Sequence, residues 1–175
     1  MALKIEKEFS QIIYEVFGSK LPKKITVAVS GGLDSMALLL LFKNIYGKKI
    51  KIICLTVDHN VRKDSAADAK FVANFCAQNS IDCSILKSYL KNSPEVDIEG
   101  SLREVRYNLL TDFCQKNKIE NLFLAHHKQD LAENFLIRLF RGSGIDGLSA
   151  MPTIRHCEEW QRPDAAIQKL QIIRP

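Results

Sequence analysis

Long apolar runs, paired cysteines and the usual phosphate-loop signature are all missing from this sequence. Its longest uncharged apolar run, Met36 to Phe42, falls far short of the roughly 18–20 residues needed to cross a bilayer, so no membrane role is expected. The opening MALKIEKEFSQ mixes Lys and Glu with apolar residues and offers no continuous apolar stretch for a secretory signal. The five cysteines, Cys54, Cys76, Cys83, Cys114 and Cys157, are odd in number and contain no C-x-x-C pair. That argues against a disulfide framework or a zinc site. No G-x-x-x-x-G-K-[ST] occurs, which excludes an ordinary P-loop, and no internal repeat is visible. Charge is only mildly one-sided: 25 Lys and Arg against 20 Asp and Glu leave +5. Such an excess favours anionic partners without establishing nucleic-acid binding. With 46% hydrophobic and 26% charged residues in 175, the chain is neither disordered nor fibrous and suits one domain. A cytoplasmic, soluble protein is the expectation.

What is present is an alternation of strands and helices. Ile5, Phe9, Ile12, Ile13, Val16 and Phe17 recur at helical spacing before Gly18, a natural stop. Ile25 to Val29 is a β-branched run that reads as a buried strand, and a helix is expected from about Leu33 to Ile45, closed by Gly47. Ile50 to Val57 predicts a second strand and Ser65 to Gln78 a second crossover helix. Cys83 to Leu86 is a weaker strand, followed by a loop over 87–98 around Asn92-Ser93-Pro94. A helix from about Ser101 to Asn117, a strand over Asn121 to Ala125 and a helix from about Lys128 to Phe140 complete the pattern. Strands alternating with helices of this length predict βαβ crossovers, hence an α/β fold with a parallel sheet and helices on both faces. In such sheets ligands sit beyond the carboxyl ends of the strands, at a topological switch point. Ser30-Gly31-Gly32, Asp58-His59 and His126-His127 all fall at strand ends of that kind.

Organisation changes near the end. Arg155 to Lys169 is polar, lacks periodicity and holds the only Trp, Trp160. The expected division is a catalytic domain over 1–154 (its first helix at 3–18), an inserted or exposed segment over 155–169, and the start of a truncated C-terminal part over 170–175, where an extended element begins.

The chemistry concentrates in Val27-Ala28-Val29-Ser30-Gly31-Gly32-Leu33-Asp34-Ser35. This is strand, glycine turn and helix start in nine residues. Glycine admits positive φ and lets a ligand approach the backbone, and a helix N-terminus offers N–H groups and a positive dipole end to phosphate. Ser30 and Ser35 add hydroxyls, and Asp34 can hold a metal that bridges phosphate oxygens. Taken alone, Gly-Gly is also an ordinary βα turn, and Asp34 a solvated first-turn carboxylate.

SGGLDS resembles the SGGxDS pyrophosphate loop of the N-type ATP pyrophosphatases, which cleave ATP to AMP and pyrophosphate. Further segments are similar to the tRNA(Ile)-lysidine synthase family: Val57-Asp58-His59-Asn60-Val61-Arg62 to its VDHxLR segment, and Leu102-Arg103-Glu104-Val105-Arg106-Tyr107 to its A-R-x-x-R-Y helix. Leu124 to Met151 resembles its block of His, Asp and Glu followed by R-G-S-G-x-x-G-L. The likeness covers about residues 20 to 154 and resumes at 172–175. It implies a five-stranded, adenine-nucleotide α-hydrolase-like (Rossmann-like) sheet. The activity it implies joins lysine to C2 of the wobble cytidine of a tRNA(Ile) with a CAU anticodon, through an adenylylated base, with release of pyrophosphate and then AMP.

The cofactors implied are ATP and Mg²⁺, with L-lysine and tRNA(Ile) as partners; a homodimer stays open. Ser30, Gly31, Gly32, Leu33, Asp34, Ser35, Asp58 and His59 would face the nucleotide, with Asp34 on Mg²⁺. His126, Asp130 and Glu133, at offsets of four and three, share one face of a helix that extends back to His126. They are expected to join Asp34 in catalysis, although such a stripe also suits a solvated face. Arg103, Arg106 and Arg141 are candidates for tRNA or phosphate. The family pattern H-H-x-D-D-Q-x-E-T is altered at Gln129, Leu131 and Asn134, while Asp130 and Glu133 remain. Two other readings stay in view: a nucleotide-binding remnant that modifies nothing, and another tRNA-modifying enzyme of the same superfamily, such as a thiolase, against which the missing C-x-x-C argues.

Overall fold

The computed structural model describes residues 4–58, 65–88, 98–125, 154–156 and 171–173. In chain order they form α1 (Lys4–Phe17), β1 (Lys24–Ala28), α2 (Leu33–Tyr46), β2 (Lys51–Asp58), α3 (Ser65–Gln78), β3 (Asp82–Lys87), α4 (Ile98–Lys116), β4 (Asn121–Leu124), β5 (Ile154–His156) and β6 (Gln171–Ile173). The helix expected over 128–140 and the loop centred on Pro94 lie outside the described residues.

Helix ends follow local chemistry. Gly18 closes α1 at φ +60, donating its N–H to the Tyr14 carbonyl at 2.7 Å; a side chain there would be strained. Gly47 closes α2 for a different reason: a Cβ at that position would collide with the Lys43 carbonyl oxygen. α3 spans the residues its periodicity indicated, and α4 begins three residues earlier than expected, at Ile98.

The sheet order is β3-β2-β1-β4-β6-β5. Five of these strands, β3, β2, β1, β4 and β6, run parallel, as expected, and β5 adds a short antiparallel edge against β6. Successive strands step one way from β1 to β3. The chain then crosses back so that β4 pairs with the opposite side of β1, Ala28 standing beside Leu124. β1 and β4 therefore flank the switch point. A right-handed crossover must change faces when its direction reverses. α2 and α3, with α1, accordingly bury one face against Ile25, Val27, Ile52 and Cys54, whereas α4 packs through Tyr107, Leu110 and Cys114 on Leu55, Leu122 and Leu124 of the other.

On the first face Phe42 packs edge-on against Phe9 at 4.9 Å and against Phe123 at 4.5 Å between ring centroids, fastening α1 and α2 to β4. On the second, the one polar side chain in the middle of β1, Thr26, is buried but satisfied. Its hydroxyl donates to the Asn121 carbonyl at 3.0 Å and lies 3.3 Å from Cys114 Sγ. Among the described residues no helix is long and apolar enough to cross a membrane.

Candidate functional site

β1 ends at Ala28, but its ladder runs one residue further, with Val29 N–H donating to the Leu55 carbonyl at 2.8 Å. The chain then leaves the sheet in three residues. Ser30 is exposed, Gly31 takes φ +89, and Gly32 sits at the N-cap of α2 with φ −72 and ψ 156. Positive φ at Gly31 turns the backbone back over the end of β1, a conformation other residues adopt only at a cost. Gly32 needs no such freedom, since its dihedrals are open to any residue. Among the described residues, a Cβ there would meet only Ser30 Oγ, at 3.5 Å. Among the described residues, the space in front of Gly32 is open.

Serine hydroxyls hold this turn. Ser35 is buried; its Oγ donates to the Gly32 carbonyl at 2.9 Å and accepts the Ser30 N–H at 3.2 Å. Ser30 Oγ stands 3.3 Å from Ser35 Oγ and accepts the Gly32 N–H at 3.4 Å. The first intrahelical bond of α2 runs from Met36 N–H to the Gly32 carbonyl at 3.1 Å, so the N–H groups of Leu33 to Ser35 lie in the turn that precedes any helical partner. No side chain caps this end. The result is a row of backbone donors, braced by serine hydroxyls, at the positive end of a helix dipole, an arrangement suited to an anion with several oxygens.

The surroundings place the other expected residues. Leu33 is 89% exposed at the lip of the turn, and Asp34 is exposed in the first turn of α2. Val72 of α3 comes to 3.7 Å from where a Gly31 Cβ would be, so α3 roofs the turn. Asp58 ends β2 at the same rim and is buried. By alternation along β2 it shares the face of Ile52 and Cys54. Asp34 and Asp58 offer hard oxygen ligands of the kind Mg²⁺ accepts, so the donor chemistry fits that ion. Arg103 and Arg106 lie in the half of α4 nearer this rim, because α4 starts after β3 has reached it; both are exposed. The Arg103 guanidinium carbon is 5.9 Å from the Tyr107 ring centroid, within cation–π range. The Arg106 guanidinium, though its residue is exposed, is partly desolvated and lies near Arg103. Both effects hold it below its ordinary value, and it stays protonated at any working pH.

The structure thus brings Ser30, Gly31, Gly32, Leu33, Asp34, Ser35 and Asp58 to one rim. His59, His126, Asp130, Glu133 and Arg141 lie outside the described residues. Two features escaped the sequence reading. Ser88, just past β3, is buried with its hydroxyl unpartnered among the described residues, while its N–H donates to the Asp58 carbonyl at 2.8 Å. A serine next to a loop carries no signal that would have marked it. The other is a cysteine cluster: Cys54, Cys76 and Cys83, read as unsuited to a metal because no C-x-x-C links them, converge in space. Strand register, invisible to motif spacing, accounts for this.

Comparison with known proteins agrees with this geometry. A family model described as the PP-loop domain matches residues 1–175. The tRNA(Ile)-lysidine synthase of Wolbachia pipientis wMel is 43% identical over 131 residues, covering 73% of this chain and 30% of that protein. That of Zymomonas mobilis is 36% identical over 171 residues, covering 95% of this chain and 48% of that protein. The match therefore spans 30% to 48% of the length of these relatives. Among solved structures, the U34-tRNA thiolase NcsA of Methanococcus maripaludis superposes with a TM-score of 0.73 at 17% identity, over 96% of this chain and 58% of that one. That likeness is one of fold.

Proposed function

This chain belongs to the PP-loop domain family, and on that premise we propose that it is the ATP-handling part of a tRNA-modifying ligase that makes lysidine at the wobble cytidine of tRNA(Ile) with a CAU anticodon. The observation that carries the reading is the serine-braced row of amides from Gly31 to Ser35, with open space before Gly32 among the described residues. In this reading the amides bind the β- and γ-phosphates of ATP. These leave together as pyrophosphate when the C2 oxygen of the cytidine attacks the α-phosphorus. Catalysis of such a step consists mainly of positioning and of stabilising charge on the departing phosphates. Asp34, with Asp58 nearby, would hold Mg²⁺, which supplies charge neutralisation on the phosphate oxygens when bound.

In the second step lysine displaces AMP. Its ammonium, with an ordinary pKa of about 10.4, must lose a proton, at a cost of roughly 4–5 kcal/mol at pH 7. Asp130 or Glu133 would bind the ammonium and take that proton at attack, and His126 would contact phosphate or orient a carboxylate. Arg103, Arg106 and Arg141 would meet tRNA phosphates. The names of the relatives support this choice of substrate, and the +5 charge is compatible with it.

The test is lysine-dependent release of AMP from ATP with CAU-anticodon tRNA(Ile), measured for this chain alone and for the chain joined to a relative's C-terminal region. Release that requires both lysine and tRNA supports the proposal. ATP binding without turnover in either form leaves a nucleotide-binding remnant, and turnover with sulfide in place of lysine assigns a thiolase.

A further inference from the structure

Away from the glycine turn, three cysteines from three elements meet on the α3 side of the sheet. β2 and β3 are neighbours in parallel register, and Cys54 stands beside Cys83 in that register. Cys76 lies on the buried stripe of α3 with Ala69 and Val72, one of the faces that packs on these strands. The three Sγ atoms all lie within 4.8 Å of one another, the one such group among the described residues. Cys54 and Cys76 are fully buried, while Cys83 is half-buried and gives the cluster a way out to solvent. Cys114 makes a useful contrast. It is equally buried, but it lies on the opposite face of the sheet beside Thr26.

We propose that Cys54, Cys76 and Cys83 form a three-thiolate site for a single soft metal ion of the zinc(II) or copper(I) class, separate from the nucleotide site. An ion at the centre of a triangle with sides no longer than 4.8 Å stands within about 2.8 Å of each sulfur, so inward shifts of about half an ångström give the ~2.3 Å bonds of a zinc thiolate. Three sulfurs and no oxygen or nitrogen donor select thiophilic ions over Mg²⁺ or Ca²⁺. A [4Fe–4S] cube, which holds its cysteines apart at separate iron corners, does not fit within such a triangle. Binding replaces three S–H bonds with three metal–sulfur bonds and releases three protons. The half-buried side of Cys83 leaves a fourth position to water, as zinc requires; copper(I) needs none. The ion would tie β2, β3 and α3 together.

The test uses the reduced chain without metal, kept anaerobic. Co²⁺ serves as the coloured stand-in for Zn²⁺, and Cu(I) is offered from a competing chelator. One equivalent of Co²⁺ should produce sulfur-to-metal charge-transfer absorption that Zn²⁺ abolishes, or one equivalent of Cu(I) should be withdrawn from the chelator. Either result supports the site, the first indicating four-coordination and the second three. Cys83→Ser should weaken uptake at least tenfold, and Cys114→Ser should leave it unchanged. X-ray absorption of the loaded wild-type chain, which needs no variant to fold, should count three sulfur neighbours. Failure to take up either ion, uptake undiminished in Cys83→Ser, or fewer than three sulfurs overturns the proposal.

Discussion

Gly31 and Gly32 are adjacent and chemically identical, yet the structure assigns them different burdens, and substituting each with alanine separates folding from binding. At Gly31, φ is +89 and, among the described residues, the new methyl would meet only Val72 Cγ2, at 3.7 Å. Packing therefore costs nothing and the penalty is backbone strain. That strain is about 1–2 kcal/mol, offset by roughly 0.4–1 kcal/mol because alanine lowers the entropy of the unfolded chain. Gly31→Ala should lose about 1 kcal/mol, a fall in melting temperature of roughly 2–4 °C for a domain of this size. At Gly32 the dihedrals suit alanine, and Ser30 Oγ at 3.5 Å is in ordinary contact. Its stability should move by no more than about 0.5 kcal/mol, the weaker N-cap partly cancelling the entropy gain. Its methyl, however, would occupy the open space where phosphate oxygens are proposed to sit, and ATP affinity should fall at least about tenfold, or 1.4 kcal/mol. Thermal melts give the first quantity and calorimetric titration with Mg-ATP the second. Gly32→Ala that binds ATP within twofold of wild type would refute the proposed seat of the phosphates. Gly31→Ala that melts no earlier would refute the strain argument.

Three further outcomes follow from the same structure. Ser35→Ala removes the hydroxyl that bonds both the Gly32 carbonyl and the Ser30 N–H. It should cost about 1–2 kcal/mol in denaturant unfolding and weaken ATP binding severalfold; unchanged values of both would show that the turn holds its shape without it. Phe42→Ala empties a fully buried position between Phe9 and Phe123 and should cost about 3–5 kcal/mol, and a loss below about 1 kcal/mol in the same assay would contradict the packing. Cys83 has its thiol brought down from 9.0 to about 7 by hydrogen bonding from Cys54, with Cys76 adding to it and burial opposing both. In the chain freed of metal its alkylation should therefore rise with pH through about 7, being slow below that value where the thiol is protonated, and Cys54→Ala should push the midpoint back toward 9. A midpoint already near 9 in the wild-type chain would remove the thiol contact as a cause.

Much of this molecule is legible in its sequence. The extent of α3, the stops at Gly18 and Gly47, and the parallel α/β class came from periodicity and turn chemistry, which act over a few neighbouring residues. SGGLDS was recognisable for the same reason, since strand, turn and helix start are contiguous. Less local features were not. α4 starts at Ile98, with Gly100 inside its first turn, because a glycine there is tolerated once the rest of the helix packs. β5 is three residues long, too short to carry an alternation, and exists through its pairing with β6.

The chain by itself determined which segments are helix or strand and where the glycine turn lies, because those depend on φ restrictions, capping and apolar spacing within a single turn or strand. Tertiary structure alone decided that β4 pairs across β1, which sets that turn at the point where the strand order reverses. It alone set Cys54 against Cys83 with Cys76 above them. Strand order and register are settled by burial among residues far apart in sequence, and no local pattern records which distant partner will cover a given face.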